Sequence, residues 1–372
     1  MASFEELGVN QDIIKGLNEL GINNPTPIQE QVIPLLLSGH IDLVGQAQTG
    51  TGKTAAYGIP LLQQVNPKSK MIQGLILCPT RELGQQVAKQ LFKFTKYTEK
   101  IFTEAVYGGE PIDRQIDRLK RPTHILVATP GRLIDLLKRK ALDLSAVKTI
   151  ILDEGDEMLS MGFKAELDEI LSYVSEAKSK WLFSATLPHD IKNMVNVHFS
   201  ADAHRIQIDG KNVVNSKIEH RFLVCEEEEK LKLLIQFLKV SKKERGIVFC
   251  RTKSAVQKLA KQLASKNIPA DGIHGDLKQL EREKVLRAFK NEKLQILVAT
   301  DLAARGLDIP DLAYVVHYQM PDHEEYYTHR SGRTARAGKE GYSLALVNSK
   351  ELKSLRFFQK KLGISLEQVR AV

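Results

Sequence analysis

Short segments that are almost wholly apolar recur along this chain, and longer amphipathic stretches separate them. Strands with one face in water alternate apolar and polar residues, whereas strands buried on both faces do not. The pattern therefore predicts parallel β-sheets covered by helices, an architecture of the α/β class. The apolar segments are Ile41–Val44, Leu75–Cys78, Ile125–Ala128, Thr149–Leu152, Trp181–Phe183, Gly246–Cys250, Gln295–Ala299, Tyr314–His317 and Ser343–Val347.

A polar segment divides this pattern into two halves. Residues 209–217 contain glycine and asparagine and have no hydrophobic period, so they predict a linker. The candidate domains are then residues 1–208 and 218–372, and each has a size typical of an α/β domain. The sequence Ile125–Thr129 recurs as Ile296–Thr300, as expected for equivalent strands of two similar domains, although buried strands also match by chance.

Composition excludes some classes of protein and favours others. The formal net charge of +9 favours a polyanionic partner such as nucleic acid, although many basic proteins are merely soluble. No apolar run approaches the roughly 18 residues of a membrane span, and the first residues do not form a secretory signal. Cys78, Cys225 and Cys250 lie far apart without zinc-site spacing, which favours a reducing, cytoplasmic location.

A glycine-rich loop between an apolar segment and a helix-compatible stretch matches the Walker A pattern, with alanine at its first position. Its glycines would let backbone N–H groups surround a phosphate at the start of a helix. Lys53 would reach the β- and γ-phosphates, and the Thr54 hydroxyl would bind Mg²⁺. The alternative is a glycine-rich turn without a ligand. The loop consists of Ala47, Gln48, Thr49, Gly50, Thr51, Gly52, Lys53 and Thr54.

Acidic residues follow the apolar segment Thr149–Leu152, in the sequence Asp153-Glu154-Gly155-Asp156. This arrangement matches the Walker B pattern, in which Asp153 would hold Mg²⁺ and Glu154 would orient or deprotonate a water molecule. Acidic residues are common at strand ends, so the pattern gains its meaning from the phosphate loop that precedes it.

Basic residues cluster near the end of the chain, from His329 to Arg336. If this segment begins a helix, Arg333 and Arg336 lie on one helix face, where both could contact a γ-phosphate. The alternative is a basic patch that contacts RNA or only solvent. The first interpretation predicts an ATP site shared between the two domains.

Together these motifs resemble the DEAD-box family of ATP-dependent RNA helicases, and the resemblance extends along the whole chain. Further segments that match the family pattern are Phe4 with Pro25–Gln29, Pro79–Leu83, Gly108–Gly109, Thr129–Arg132, Ser184–Thr186, Ile247–Cys250, His274–Asp276 with Gln279 and Arg282, Ala299–Asp301 and Arg305–Asp308.

The resemblance implies two tandem RecA-like domains with ATP between them and RNA across both. It implies that Gln29 reads the adenine edge beside Phe4, and that Gly306 and Asp308 lie at the nucleotide, with Asp308 at the ribose. Coupling between nucleotide and RNA is assigned by the same resemblance to Ser184, Thr186 and Asp156.

The implied RNA contacts are largely independent of base sequence, because small residues and hydroxyl or N–H groups bind the phosphate backbone. The residues that the resemblance assigns to RNA are Pro79, Arg81, Gly109, Thr129, Gly131 and Arg132 in the first domain, and Arg251, Gly275 and Thr300 in the second.

Several positions depart from the family pattern. Gly155 replaces the usual alanine, and because Asp153 and Glu154 both remain, we expect activity to survive. Glycine is more flexible than alanine, so we expect the carboxylates to be held less rigidly. Ile22 stands where an aromatic residue often stacks on adenine, and Gly84 replaces an alanine. Ala335 replaces a common glycine, which would favour a helix there.

The predicted function is RNA-stimulated ATP hydrolysis with Mg²⁺, coupled to domain closure on single-stranded RNA and local duplex unwinding, by a monomeric core without a membrane partner. A second hypothesis is an ATP-switched RNA clamp that acts as a scaffold, because a clamp shares every motif. A DNA-directed helicase is a variant of the first. A P-loop kinase or transporter ATPase has no use for the motifs of residues 246–336.

Overall fold

The computed structural model describes residues 2–48, 50–208, 217–241, 244–304, 306–307, 309, 312–335 and 339–369. The chain forms two compact units, Met1–Ile208 and Asp209–Val372. All but the last residue of the predicted linker, residues 209–217, lies outside the described residues.

The first unit contains one parallel sheet of seven strands in the order β3-β4-β2-β5-β6-β1-β7. Its strands are β1 (Leu43–Gln46), β2 (Gly74–Leu77), β3 (Thr103–Val106), β4 (Ile125–Ala128), β5 (Thr149–Asp153), β6 (Ser179–Ser184) and β7 (His204–Gln207). Its helices are α1 (Gln11–Glu19), α2 (Pro27–Leu37), α3 (Lys53–Gln64), α4 (Arg81–Phe94), α5 (Ile112–Leu119), α6 (Pro130–Lys138), α7 (Gly155–Ser160), α8 (Lys164–Tyr173) and α9 (His189–His198).

The second unit repeats this arrangement, with a seven-stranded parallel sheet in the order β10-β11-β9-β12-β13-β8-β14. Its strands are β8 (Ile218–Val224), β9 (Gly246–Phe249), β10 (Ala270–Ile273), β11 (Ile296–Ala299), β12 (Tyr314–His317), β13 (Gly341–Val347) and β14 (Leu366–Gln368). Its helices are α10 (Lys230–Val240), α11 (Lys253–Ala264), α12 (Gln279–Lys290), α13 (Asp301–Ala304), α14 (Glu324–Ser331) and α15 (Ser349–Leu362).

The central strands are buried on both faces, as the unbroken apolar segments predict. Within β5, Ile151 joins one hydrophobic cluster, whereas Ile150 and Leu152 join another. The first cluster includes residues of α2, α3 and α4, and the second includes residues of α6, α8 and α9. Helices therefore cover both sides of the sheet, and the predicted α/β architecture is confirmed.

Five strands were not predicted from the sequence, and four of them are the outermost strands of their sheets. Edge strands β3, β7 and β14 are half-exposed or exposed at most positions, and β10 at its first two positions, so their sequences contain no apolar run. The fifth, β8, alternates buried and more exposed residues. The repeated pentapeptide falls on β4 and β11, each second from the edge of its sheet, so the two copies are equivalent strands.

None of the helices within the described residues has the length and apolar character needed to cross a lipid bilayer.

A buried polar cluster in the second unit carries two histidines. The His317 ring stacks on Tyr327 at 4.5 Å between centroids, and its Nε2 atom lies 2.9 Å from the Ser343 hydroxyl. The His220 Nδ1 atom lies 3.0 Å from the Tyr327 hydroxyl. Burial lowers the pKa of His220 to about 4. Burial, and then the charge of Arg330, hold the pKa of His317 well below its usual range.

These histidines predict acid sensitivity of the second unit. Both stay neutral in the folded state but take up protons in the unfolded chain below pH of about 6.5, so stability falls from there towards pH 4. Each such proton contributes a slope of about 1.4 kcal/mol per pH unit. The free energy of unfolding of His220→Gln, measured with urea between these pH values, should depend less steeply on pH than that of the wild type. The difference in slope should be about 1.4 kcal/mol per pH unit, the contribution of one proton. An unchanged slope would contradict this account.

Candidate active site

The loop between β1 and α3 has a backbone that requires glycine at two positions. Gly50 has φ 83° and Gly52 has φ 91°, in the left-handed region that other residues rarely adopt. A Cβ atom on Gly52 would also lie 2.4 Å from the Gln29 Nε2 atom. Thr49, which the sequence assigns to the same loop, lies outside the described residues.

Lys53 begins helix α3, and its buried side chain turns back onto the loop. The Nζ group donates a hydrogen bond of 2.9 Å to the Ala47 carbonyl, and the Thr51 hydroxyl donates one of 2.8 Å to the Gln48 carbonyl. The first turn of α3 contains no acidic residue. An ammonium group and free N–H groups at a helix start are the features of an anion site.

Gln29 connects helix α2 to this loop. Its Oε1 atom accepts a hydrogen bond of 3.0 Å from the Thr26 backbone N–H, and its Nε2 group donates one of 3.0 Å to the Gly52 carbonyl. Phe4 is buried in the hydrophobic core of the first unit together with Ile28. The predicted contacts of Gln29 and Phe4 with a base stay predictions.

Asp153 ends strand β5 and is 3% exposed. Its Oδ2 atom accepts a hydrogen bond of 2.7 Å from the Tyr57 hydroxyl, whereas its buried Oδ1 atom has no hydrogen-bond partner among the described residues. Burial raises the pKa of Asp153, and the charge of Lys53 opposes this rise. Tyr57 is not among the residues predicted from the sequence, although its position four residues after Lys53 places both on one face of α3.

Glu154 has a backbone conformation that is rare for its residue type. It has φ 55° and ψ 52°, in the left-handed region, and it immediately precedes helix α7. Such strain, of about 1–3 kcal/mol, persists where the surrounding structure fixes the residue, and it is concentrated at functional sites. The strained position fixes the direction in which the Glu154 side chain leaves the end of β5.

The constraint at Gly155 is a close approach and not an unusual backbone angle. A Cβ atom at this position would lie 2.5 Å from the Leu182 Cδ1 atom and 3.3 Å from the Ile191 Cδ1 atom. The first helical turn after Glu154 therefore packs directly against strand β6. The expectation of loosely held carboxylates considered backbone freedom alone and did not include this packing.

Asp156, Ser184 and Thr186, which the resemblance assigns to coupling, lie together. Asp156 Oδ2 accepts hydrogen bonds of 2.8 Å from both the backbone N–H and the hydroxyl of Thr186. The Ser184 hydroxyl accepts a hydrogen bond of 3.2 Å from the Asp156 N–H and donates one of 2.7 Å to the Thr186 carbonyl. The Ala47 N–H donates to the Ser184 carbonyl, which connects this network to the glycine-rich loop.

The predicted RNA residues of the first unit follow the carboxyl ends of three neighbouring parallel strands, β3, β4 and β2. The Arg81 guanidinium lies 4.5 Å from the centre of the Tyr107 ring. The Arg132 Nη2 group donates 2.9 Å to the Glu110 carbonyl, while its buried Nε and Nη1 atoms lack partners in the described part of the chain. Pro79, Gly109 and Thr129 lie in the loops after these three strands, and Gly131 lies in the first turn of α6.

The second unit places its predicted RNA residues in the same way. Arg251, Gly275 and Thr300 follow strands β9, β10 and β11, which are neighbours in the sheet. The Arg251 guanidinium forms an ion pair of 2.7 Å with Asp322, and both side chains are mostly exposed. Space around Gly275 is open except for the Lys253 side chain.

The basic cluster does not begin a helix, so that expectation is wrong. Helix α14 ends at Ser331, and Arg333 follows it with its Nη1 group 3.5 Å from the Leu307 carbonyl. Gly306 precedes Leu307 with φ 65°. Ala335 has φ 55°, so the expected gain in helix formation is absent there. Arg336 and Asp308 lie outside the described residues.

Arg330, in the same cluster, is buried and serves the fold. Its Nε and Nη2 groups donate hydrogen bonds of 2.6 and 2.7 Å to the two carboxylate oxygens of Asp301. Its Nη1 group donates one of 2.7 Å to the Gln319 carbonyl. Arg330 thereby connects helix α14 to the start of α13 and to the loop after β12.

Comparisons with known proteins identify the family of this chain. The sequence profile of the DEAD/DEAH box helicase family matches residues 26–194, and that of the helicase conserved C-terminal domain matches residues 229–338. The ATP-dependent RNA helicase CshA of Listeria monocytogenes is 44% identical over 371 residues, which are 100% of this chain and 71% of that protein. The chain belongs to the DEAD-box helicase family.

Solved structures of DEAD-box helicases have the same fold. Dbp5 of S. cerevisiae, bound to RNA and ADP BeF3, is 28% identical with a TM-score of 0.89, and the match covers 100% of this chain and 96% of Dbp5. Mss116p, bound to ssRNA and AMP-PNP, is 28% identical with a TM-score of 0.90 and coverage of 99% and 80%. The two units are therefore tandem RecA-like domains.

The close approach of Gly155 to Leu182 predicts that alanine is unfavourable at this position of the DEAD-box helicase. Gly155→Ala should destabilise the first domain by about 1–3 kcal/mol through overpacking, although alanine is the better helix former. Leu182→Val removes the clashing Cδ1 atom, so the double variant should be more stable than the two single losses imply. Urea unfolding of all four proteins measures the coupling, and strictly additive losses would contradict it.

Tyr57→Phe should destabilise the first domain by about 1–3 kcal/mol at neutral pH, because a buried carboxylate oxygen of Asp153 loses its donor. The penalty should shrink as the pH falls and Asp153 takes up a proton. Urea unfolding at several pH values measures both effects, and the half-exposed Tyr173, changed to Phe, is the matched control. A penalty independent of pH would argue against the Asp153 contact as its cause.

Proposed function

We propose that this chain is an ATP-dependent RNA helicase, in which RNA-stimulated ATP hydrolysis accompanies closure of the two domains on single-stranded RNA and local duplex unwinding. The observation that supports it best is the network of Asp156, Ser184 and Thr186. It lies at the ends of β5 and β6, between the phosphate-type loop after β1 and the segments after β2, β3 and β4 that carry the predicted RNA residues. The named relatives, which are ATP-dependent RNA helicases, support the same function.

In this proposal the glycine-rich loop binds the triphosphate of ATP. The N–H groups at the start of α3 face the phosphates, and Lys53 exchanges its contact with the Ala47 carbonyl for the β- and γ-phosphate oxygens. Gln29 holds the Gly52 carbonyl and lies beside the adenine, while Phe4 supports that segment from the core.

Asp153 and Thr54 would hold Mg²⁺. The buried Asp153 Oδ1 atom, which lacks a hydrogen-bond partner among the described residues, is a ligand of the type that Mg²⁺ prefers. The described residues contain no group of three acidic, histidine or cysteine side chains that could enclose a metal, which fits an ion held partly by substrate phosphates. When bound, Mg²⁺ would neutralise phosphate charge.

Asp153-Glu154-Gly155-Asp156 then forms a Walker B motif with glycine in place of alanine. Glu154 accepts the proton of the attacking water, and its fixed backbone holds the carboxylate in position for this task. Gly155 allows the packing against Leu182 that keeps the motif in place.

The coupling residues would relay the state of the nucleotide to the RNA loops. Asp156 leaves the motif that binds ATP and accepts both hydrogen bonds of Thr186, so a shift of one moves the other. Pro79, Arg81, Gly109, Thr129, Gly131 and Arg132 would bind the RNA backbone in the first domain, and Arg251, Gly275 and Thr300 in the second.

The second domain would complete the ATP site on closure. Arg333 and Arg336 would contact the γ-phosphate, and Gly306 and Asp308 would contact the nucleotide, with Asp308 at the ribose. ATP and RNA would then each favour closure and tighten the other's binding. We further propose a monomeric core in the cytoplasm, and the three free, buried cysteines fit a reducing compartment.

Hydrolysis of ATP with and without single-stranded RNA tests this function. RNA should stimulate the wild-type rate, and Lys53→Ala should lower it by about 10²–10³-fold because the transition state loses a positive charge. Glu154→Gln should still bind ATP, hydrolyse it very slowly and stay on RNA. Lys15→Ala, at an exposed lysine of α1, is the control.

Each alternative has its own outcome. Equal stimulation by RNA and DNA would contradict RNA selectivity, and a Lys53→Ala variant with normal turnover would refute the assignment of the phosphate loop. Normal turnover by Glu154→Gln would exclude Glu154 as the group that activates water. Stable retention of RNA without duplex unwinding would favour the clamp hypothesis.

A further inference from the structure

The amino ends of strands β2, β3 and β4 lie at the edge of the sheet opposite the carboxyl ends, which carry the predicted RNA residues of the first domain. Because these strands are neighbours in the sheet and run parallel, the segments that precede them meet at that edge. Residues 65–73 lead into β2, residues 95–102 into β3 and residues 120–124 into β4. We call these three segments, with the end of α4, the amino-edge face.

His124 holds the three segments together. The Phe102 backbone N–H donates a hydrogen bond of 2.9 Å to His124 Nδ1, and the two rings stack at 5.6 Å between centroids. His124 Nε2 lies 2.7 Å from the Ser69 carbonyl, and the Gln73 N–H donates to the His124 carbonyl at 2.8 Å. The three segments are therefore connected into one surface and are not independent loops.

This face is strongly basic. Glu99 is the one acidic residue in the sequence of these segments. Two acidic residues from neighbouring helices contact it: Glu19 pairs with Lys96 at 2.7 Å, and Asp117 pairs with Lys120 at 2.7 Å. The exposed basic residues of the face are Lys68, Lys70, Lys93, Lys96, Lys100, Lys120 and Arg121.

Large apolar rings are exposed among these charges. Phe92 is 71% exposed, Phe102 is 47% exposed and Tyr97 is 42% exposed. Phe92 and Phe102 line a groove of about 720 Å³ together with Lys93, Lys96 and Lys100. The Tyr97 hydroxyl donates a hydrogen bond to Glu19, which fixes its ring at the rim.

We propose that the amino-edge face is a second binding site for single-stranded RNA. Exposed rings provide stacking surfaces that accept any base, and lysines around them neutralise phosphates, which together form the usual chemistry of sequence-independent single-strand binding. An acidic peptide would use the lysines, but it would not need several exposed rings beside one groove. The choice of RNA rests on the proposed function, which brings RNA to this protein.

The two RNA sites would be close enough to bind one RNA molecule, because they lie at opposite edges of the same small sheet. Strands of four residues separate the edges by about 13 Å of sheet, at about 3.3 Å per residue. One RNA molecule could thus occupy the site that controls hydrolysis while a flanking single strand stays on the amino-edge face. The second site would retain RNA on the helicase without requiring ATP.

The test compares a triple variant, Lys68→Ala, Lys93→Ala and Lys100→Ala, with a matched control, Lys258→Ala, Lys261→Ala and Lys266→Ala, on exposed positions of α11 and the turn after it. Without nucleotide, the test variant should bind a long single-stranded RNA more weakly. Its slope of log affinity against log salt should fall by about 2, from about 0.7 for each lost phosphate contact. The control should bind as the wild type does.

Phe92→Ala tests stacking without a change of charge. At 71% exposure its ring contributes little to the core, so the fold should be unaffected. Affinity for RNA should fall by about 10-fold. The rate of ATP hydrolysis at saturating RNA should stay unchanged in both variants, because the residues of hydrolysis lie at the other edge.

The outcomes separate this proposal from the proposed function. Unchanged RNA affinity in both variants, with RNA still stimulating hydrolysis, would overturn the second site alone. If RNA failed to stimulate the wild type, the proposed function would fall, while the direct binding measurement would still decide this site. Binding of poly-glutamate, lost in the triple variant while RNA binding stays intact, would assign the face to an acidic protein and overturn the RNA proposal.

Discussion

Parallel strand pairing is the constraint on which the rest of this molecule depends. Since every strand in a sheet runs in one direction, all chain exits lie at one edge and all chain entries at the other. The exits of the first unit gather the glycine-rich loop, Asp153 and Ser184 beside the loops of Arg81 and Thr129. Functional residues that are far apart in sequence are thereby placed in a single row, with Asp156 and Thr186 in the middle.

The sequence predicted the buried part of this architecture and missed its periphery. Strands such as β4 and β11 are apolar on both faces, so their sequences identify them without ambiguity. Edge strands such as β3 and β14 face solvent, and their sequences resemble loops. The basic cluster was misplaced for a related reason: charge spacing suggested a helix, whereas α14 ends at Ser331 and Ala335 adopts a left-handed backbone.

Site residues were predictable where the chemistry requires a particular residue type. They were less predictable where tertiary packing determines which residue is needed. Glycines 50 and 52 follow from the backbone of a phosphate loop, and both have the left-handed angles that this requires. The contact of Tyr57 with Asp153 joins residues 96 positions apart, and no local pattern reveals it. Gly155 was expected to add backbone flexibility, but the space at this position is limited by the Leu182 side chain on another strand.

The ion pair of Arg330 and Asp301 restricts how this domain can change over evolution. Arg330 is 1% exposed and Asp301 is 25% exposed, so loss of Asp301 would leave a buried guanidinium without its carboxylate, at a cost that reaches about 3–5 kcal/mol for a fully buried pair. That loss is comparable with the whole stability of a marginal domain. A lineage that replaced the pair by apolar residues would need both changes nearly at once, so the two positions are expected to persist together.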